Sequence, residues 1–292
     1  MLKQRIITAL ILLPLVLALL FMASLDYFVT VIAIVTYLIA VEWAKLAGFT
    51  QSFQCSLYAF AVSCVNLALW YFADNFKFWP SLSWPQQLVW DYPLIVLATS
   101  VVAISMAIFI VLTYSRLPKW WANLPIRSLL GFAMLPAFFV SLICIRNVNS
   151  ISDFYYGGQL VLMMFCMIWA ADTGAYFTGK AFGRTKLAPN VSPNKTWEGA
   201  VGGLILSFIV AWLGAHLLNL DIHHPVLYSV VVLLLAAISV LGDLFESALK
   251  RVANIKDSGN LLPGHGGVYD RLDSSIVVAP LFYLVYSFHG WY

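Results

Sequence analysis

The chain has 292 residues, of which 62% are hydrophobic and only 10% charged; its mean hydropathy is +0.88 and its formal net charge +3. A soluble domain carries about 25% charged residues, and a core of this size cannot hide so much apolar surface, so a water-soluble globular protein is excluded. The composition specifies an all-α polytopic membrane protein with lipid as its outer solvent.

A helical bilayer crossing takes about 20 predominantly apolar residues. Nine runs qualify: 6–23, 27–44, 56–72, 92–114, 128–145, 159–178, 199–219, 226–248 and 274–289. The first follows Lys3 and Arg5 and ends in Met22-Ala23-Ser24. It is either a signal peptide or a retained anchor, and its length and the spans that follow favour the anchor. Between the third and fourth runs, the segment 73–91 holds Trp79, Pro80, Trp84, Pro85 and Trp90, read as interfacial indoles with helix-breaking prolines. Asp221, His223 and His224, ahead of Pro225, read as a short polar turn, and His216 and His289 as interfacial. Cys55, Cys64, Cys144 and Cys166 form no CxxC and read as packing residues.

The cations orient these spans. With a cytoplasmic N-terminus, 14 of the 16 Lys and Arg residues fall on the inside, in 1–5, 45–55, 115–127, 179–198 and 249–273. Only Lys77 and Arg146 remain outside. The positive-inside rule therefore supports nine spans with the N-terminus cytoplasmic and the C-terminus external. A single integral-membrane domain is expected over 1–292, with 1–150 as scaffold helices and 151–292 carrying the chemistry.

Four acids stand in or at the edge of the apolar runs: Glu42, Asp172, Asp243 and Glu246. An Asp-like charge at a helix centre costs on the order of 2.5–3.5 kcal/mol on the insertion scale. Glu42, in Glu42-Trp43-Ala44-Lys45, closes its span and reads as an interfacial acid. The other three fall toward the cytoplasmic side. Asp243, Glu246, Ser247 and Lys250 follow i, i+3, i+4, i+7 spacing and share one helix face. That face leads into a basic loop; interhelical ion pairing is the plainer alternative.

Two loops carry the remaining chemistry. The first, 179–198, offers Lys180, Arg184, Lys186 and Lys195 among glycines and hydroxyls. Its end, Ser192-Pro193-Asn194-Lys195-Thr196-Trp197-Glu198, reads as a capped helix entry, and Gly199, Gly202 and Gly203 point to close helix packing beyond it. The second, 247–273, holds Lys250, Arg251, Lys256, Asp257, His265, Asp270, Arg271 and Asp273 with Gly259, Gly264, Gly266 and Gly267. Cations suit phosphate oxygens, carboxylates suit a hard divalent metal, and glycines admit a ligand close to backbone N–H groups. No GxxxxGK[ST] phosphate loop is present. His265 either contacts phosphate or locks the turn, and Asp273 is either a ligand or a helix cap.

Ser247-x-Leu249-Lys250-Arg251, Lys256-Asp257-x-Gly259, Pro263-x-His265-Gly266-Gly267 and Asp270-Arg271-Leu272-Asp273 together resemble the phosphatidate cytidylyltransferase (CDP-diacylglycerol synthase) family. Ser192-Pro193-x-Lys195-Thr196, Ala171-Asp172-Thr173-Gly174-Ala175-Tyr176 and the opening residues, similar to those of bacterial members, extend the resemblance over nearly the whole chain. It implies a homodimeric, multi-helix enzyme of the bacterial inner membrane, its site facing the cytoplasm and its dimer contacts in the N-terminal helices. Such an enzyme joins CTP to phosphatidate, giving CDP-diacylglycerol and pyrophosphate. The resemblance further implies a divalent metal, Mg2+, held by Asp243 and Asp270, with K+ as a second cation. Asp172, Lys250 and Arg271 join those two acids as expected catalytic residues. Lys180, Ser192, Lys195, Thr196, Ser247, Arg251, Lys256, His265, Gly266 and Gly267 are expected to bind substrate.

Rival classes are an ion-coupled transporter, which also buries carboxylates in spans, and a cytidylyltransferase for a different lipid phosphate. No repeated halves and no pair of broken midplane spans favour the transporter.

Overall fold

The computed structural model describes residues 2–72, 92–148, 150, 152–220, 222–264 and 266–289. Among these residues, nine α-helices, one 3-10 turn and one small hairpin account for the regular structure. The helices are α1 (Leu2–Phe21), α2 (Leu25–Ala47), α3 (Ser52–Phe72), α4 (Tyr92–Thr113), α5 (Leu124–Asn147), α6 (Tyr156–Phe182), α7 (Trp197–Leu217), α8 (Pro225–Ala253) and α9 (Tyr269–His289). Seven of them, α2 to α8, are long and apolar enough to cross a membrane. The protein is an integral membrane protein. The aromatic segment 73–91, with Lys77, lies outside the described residues, as does Asp221.

Helix ends follow local chemistry. The Asn123 side chain accepts from the Ile126 N–H at 3.0 Å and opens α5. Pro225 opens α8, where a missing N–H costs nothing. Gly48, at φ +113°, closes α2 in the left-handed conformation that L side chains avoid. At the same end, the Arg127 guanidinium donates to the Leu46 carbonyl at 2.6 Å, and the Trp43 indole N–H returns a bond to the Arg127 carbonyl at 2.9 Å.

Two helices outrun their apolar segments. The span expected at 226–248 extends to Ala253, so Asp243, Glu246, Ser247 and Lys250 do lie on one continuous helix. Where a span was expected from 274, the helix begins at Tyr269, which takes Asp270 and Asp273 into α9. Hydropathy marks where lipid begins; hydrogen bonding, which lets a helix project beyond the bilayer, sets where the helix ends.

The segment 179–198 is not simply a loop. It folds into an antiparallel hairpin of β1 (Lys186–Ala188) and β2 (Ser192–Thr196), pairing Lys186 with Thr196 and Ala188 with Ser192. Its turn is pinned by Val191, which is buried and donates its N–H to the Ala188 carbonyl at 3.1 Å.

The hairpin connects α6 to α7, which pack backbone to backbone. A Cβ on Gly174 would meet the Gly202 carbonyl oxygen at 2.6 Å, and one on Gly203 the Ala171 oxygen at 2.5 Å. Small residues at these positions allow the close approach. The far side of α7 exposes Trp197, Val201, Ile205, Ile209 and Leu213, an i, i+4 stripe suited to lipid. By contrast α5 is almost fully enclosed, with Leu135, Phe139, Val140 and Ile143 at the centre of the core.

Candidate active site

A cavity of about 580 Å³ opens between α6, the hairpin, the start of α7 and α8. Its volume is in the range of small-molecule sites, roughly 300–1,000 Å³. Asp172, Tyr176 and Lys180 line it from successive turns of α6; Ser192, Asn194, Lys195 and Thr196 line it from β2; Val240 and Asp243 line it from α8. Polar groups thus converge from three elements on a partly apolar hollow.

The hairpin is fixed at both ends. The Thr196 hydroxyl accepts from the Gly199 N–H at 3.1 Å and caps α7, as the sequence leads one to expect. Glu198 accepts from the Arg184 and Thr185 N–H groups, each at 3.1 Å, and holds the entering strand against the helix start. On the outer side, Arg251 Nε donates to the Val191 carbonyl at 3.2 Å, tying the hairpin to α8. Lys195 is thereby presented to α8, where its Nζ lies 2.5 Å from Asp243 Oδ2.

Behind Asp243 runs a line of carboxylates. Oxygens of Asp243, Glu246 and Asp273 all lie within 4.8 Å of one another. The α8–α9 contact that brings them together is close: the Ser274 hydroxyl donates to the Ser239 carbonyl at 3.0 Å. Glu246 is 2% exposed; its Oε2 pairs with Lys250 Nζ at 2.7 Å, while its Oε1 is buried with no hydrogen-bond partner among the described residues. Lys250 reaches on to Asp270 Oδ1 at 3.0 Å.

Asp270, at the junction of loop and helix, accepts from the Gly267 N–H at 2.7 Å and the Ser258 N–H at 3.0 Å.

The anticipated metal pair, Asp243 and Asp270, therefore falls into two environments. Asp243 groups with Glu246 and Asp273. Asp270 is engaged by a lysine and two backbone amides.

The other expected site residues divide by position. Asp172, Lys180, Ser192, Lys195 and Thr196 meet at the cavity with Asp243. Lys250 is turned into the carboxylate line, and Ser247 is half-buried on α8. Arg251, Lys256 and Arg271 are exposed, and with Gly266 and Gly267 they stand outside the cavity wall. Gly266, at φ +86°, makes the turn, and Gly267 gives its N–H to Asp270. His265 lies outside the described residues.

Two readings from sequence are corrected. Asp273 is not a cap, because α9 begins four residues earlier, at Tyr269. Glu42 is not merely an acid left at the end of its span: it is 1% exposed and accepts from Tyr269 N–H at 2.7 Å, Val268 N–H at 3.1 Å and Ser258 O–H at 3.1 Å. Its partners are 216 and more positions away, beyond reach of any local spacing.

The family model described as "Cytidylyltransferase family" matches residues 3–289. The chain belongs to the cytidylyltransferase family. This cytidylyltransferase is 36% identical to a phosphatidate cytidylyltransferase of Haemophilus influenzae, over 99% of each chain. It is 37% identical to a phosphatidate cytidylyltransferase of Pseudomonas aeruginosa, over 100% of this chain and 99% of that one. A phosphatidate cytidylyltransferase of Bacillus subtilis is 40% identical over 61% of this chain and 65% of its own. The residues that line the cavity and those of the carboxylate line all fall inside the matched range.

Proposed function

We propose that this cytidylyltransferase transfers the cytidylyl group of CTP to phosphatidate, giving CDP-diacylglycerol and pyrophosphate. The observation that carries the reading is the end-to-end match to two phosphatidate cytidylyltransferases. In the reaction a phosphate oxygen of phosphatidate attacks the α-phosphorus of CTP. The bond from that phosphorus to the oxygen leading to the β-phosphate breaks, and pyrophosphate leaves. The attacking oxygen is already anionic near neutral pH, so the difficulty is bringing anions together and stabilising the one that departs.

Lys195 and Lys180, at the cavity wall, supply positive charge for phosphates, and the Ser192 and Thr196 hydroxyls supply donors. Asp172 and Asp243 face the same hollow. A divalent cation such as Mg2+ would suit the donor set of Asp243, Glu246 and Asp273: three carboxylates with oxygens within 4.8 Å of one another, beside a Glu246 Oε1 that has no hydrogen-bond partner among the described residues. Asp270, next along the line, would orient that set through Lys250. When bound, the cation would neutralise phosphate charge. A second cation, K+, follows from the family resemblance.

The cation distribution supports nine spans, with α1 and α9 included, the N-terminus cytoplasmic and the cavity facing the cytoplasm of a bacterial inner membrane. Phosphatidate would then keep its tails in the bilayer while CTP arrives from water. A homodimer is the expected assembly.

The test uses purified protein in detergent with phosphatidate and CTP labelled in the cytidine. Label entering the lipid phase, with stoichiometric pyrophosphate, is expected. No transfer at saturating Mg2+ and K+ overturns the reading.

A further inference from the structure

We infer that Glu42 is a positioning residue for the transfer reaction, its buried carboxylate capping the N-terminus of α9 from a different helix and so fixing the segment that carries Asp270 and Asp273. The inference rests on the function proposed above.

A buried carboxylate is stable only where donors replace the water it has lost. Among the described residues, no lysine or arginine pairs with Glu42; the three groups that do are N–H and O–H donors. Two are the backbone amides of Val268 and Tyr269, at the start of α9. Helix-start amides have no partner within the helix and lie at its positive end. Glu42 supplies from α2 what an N-cap side chain ordinarily supplies from the preceding residue.

The surrounding loop is shaped to admit it. A Cβ on Gly267 would come within 2.5 Å of Glu42 Oε2, and one on Gly259 would collide with Glu42 Oε1. Glycine at both places lets the backbone close around the carboxylate. The carboxylate itself is held on a rigid base: the neighbouring Trp43 is fully buried, 5.2 Å between ring centroids from Tyr269, and anchored by its indole to Arg127.

Ser258 carries the constraint onward. Its O–H donates to Glu42 while its N–H donates to Asp270. From Asp270 the chain continues through Lys250 to Glu246. Glu42 does not line the cavity and so acts only through these groups.

The test is Glu42→Gln in the full chain, which keeps the shape but turns an NH2 group toward donors. Turnover per folded molecule should fall roughly thirtyfold while KM for CTP and for phosphatidate each stay within about threefold. Backbone hydrogen exchange should accelerate in 256–270 and remain unchanged in α5 and α6. Ser258→Ala removes one donor and leaves both amides; a smaller loss of kcat, roughly fivefold, with local exchange in the same segment, is expected. Wild-type kcat and exchange in Glu42→Gln overturn the inference. So does a uniform rise in exchange with kcat per folded molecule preserved, which marks a general stabilising role. Should Glu42→Gln fail to fold, wild-type kcat and exchange in Ser258→Ala overturn it alone. Exchange is read without substrate. Absence of transfer in the wild type would therefore reject the reaction, and unaltered exchange the cap.

Discussion

Lys195 on the hairpin and Asp243 on α8 meet across one side of the cavity, Nζ to Oδ2 at 2.5 Å, with both side chains partly exposed. The pair joins the element that enters α7 to the element that carries the acidic line. On the proposed function, a phosphate entering the cavity would compete with Asp243 for the lysine, and a cation on the acidic line would compete with the lysine for Asp243. Both exchanges release partners toward opposite charges, so nucleotide and metal are expected to bind cooperatively.

Replacing Lys195 by Ala removes a charge contact present before and during the reaction. KM for CTP or phosphatidate should rise about tenfold, with kcat changed by less than about threefold. Steady-state kinetics with each substrate varied in turn check this. Two wild-type KM values beside a collapsed kcat would show that Lys195 acts on the chemical step instead.

Asp243→Asn and Asp273→Asn keep side-chain shape but lose a charge suited to a divalent cation. Each should lower turnover at least about a hundredfold, some 2.7 kcal/mol in the barrier. The half-activating Mg2+ concentration should rise in parallel. The double variant should be scarcely slower than either single one, because ligands of one ion act as a unit. Asp270→Asn is expected to cost comparable turnover by releasing Lys250. Near-wild-type turnover of any one variant at saturating Mg2+ removes that residue from the proposed set.

Fusions reporting sidedness should read cytoplasmic after Lys119, Ser192 or Gly259, and external after Trp84 or His223. The split of 14 inside and 2 outside among the 16 cations motivates the prediction. An external reading after Gly259 would put the acidic line out of reach of cytoplasmic CTP.

Gly203→Val should loosen the α6–α7 pair, because its Cβ would press on the Ala171 carbonyl, which is backbone and cannot rotate away. Overpacking of this kind costs about 1–3 kcal/mol. A lower melting midpoint in detergent checks it. Asp172 and Lys180 on α6 and the Thr196 cap of α7 depend on that contact, so activity should fall with stability.

What the sequence made legible was local. The spacing of Asp243, Glu246, Ser247 and Lys250 described a real helix face, because helical periodicity needs only neighbours. Thr196 as cap and Glu198 beside it were readable for the same reason. The hairpin was not, since its strands are short and one of its ties is a contact distant in sequence, Arg251 Nε to the Val191 carbonyl. Sequence left Asp273 open between ligand and cap because apolarity marks where lipid begins and not where α9 starts. Glu42 was misread because its partners are main-chain amides at the far end of the chain, and a main-chain amide leaves no mark in a residue's identity.

That distance also orders biosynthesis. The ribosome must add 227 residues after Glu42 before Tyr269 exists to receive it. Until then the carboxylate of α2 lacks the two amides that it accepts from in the folded chain. The contact therefore forms only once the start of α9 has been made, on a carboxylate that α2 placed much earlier.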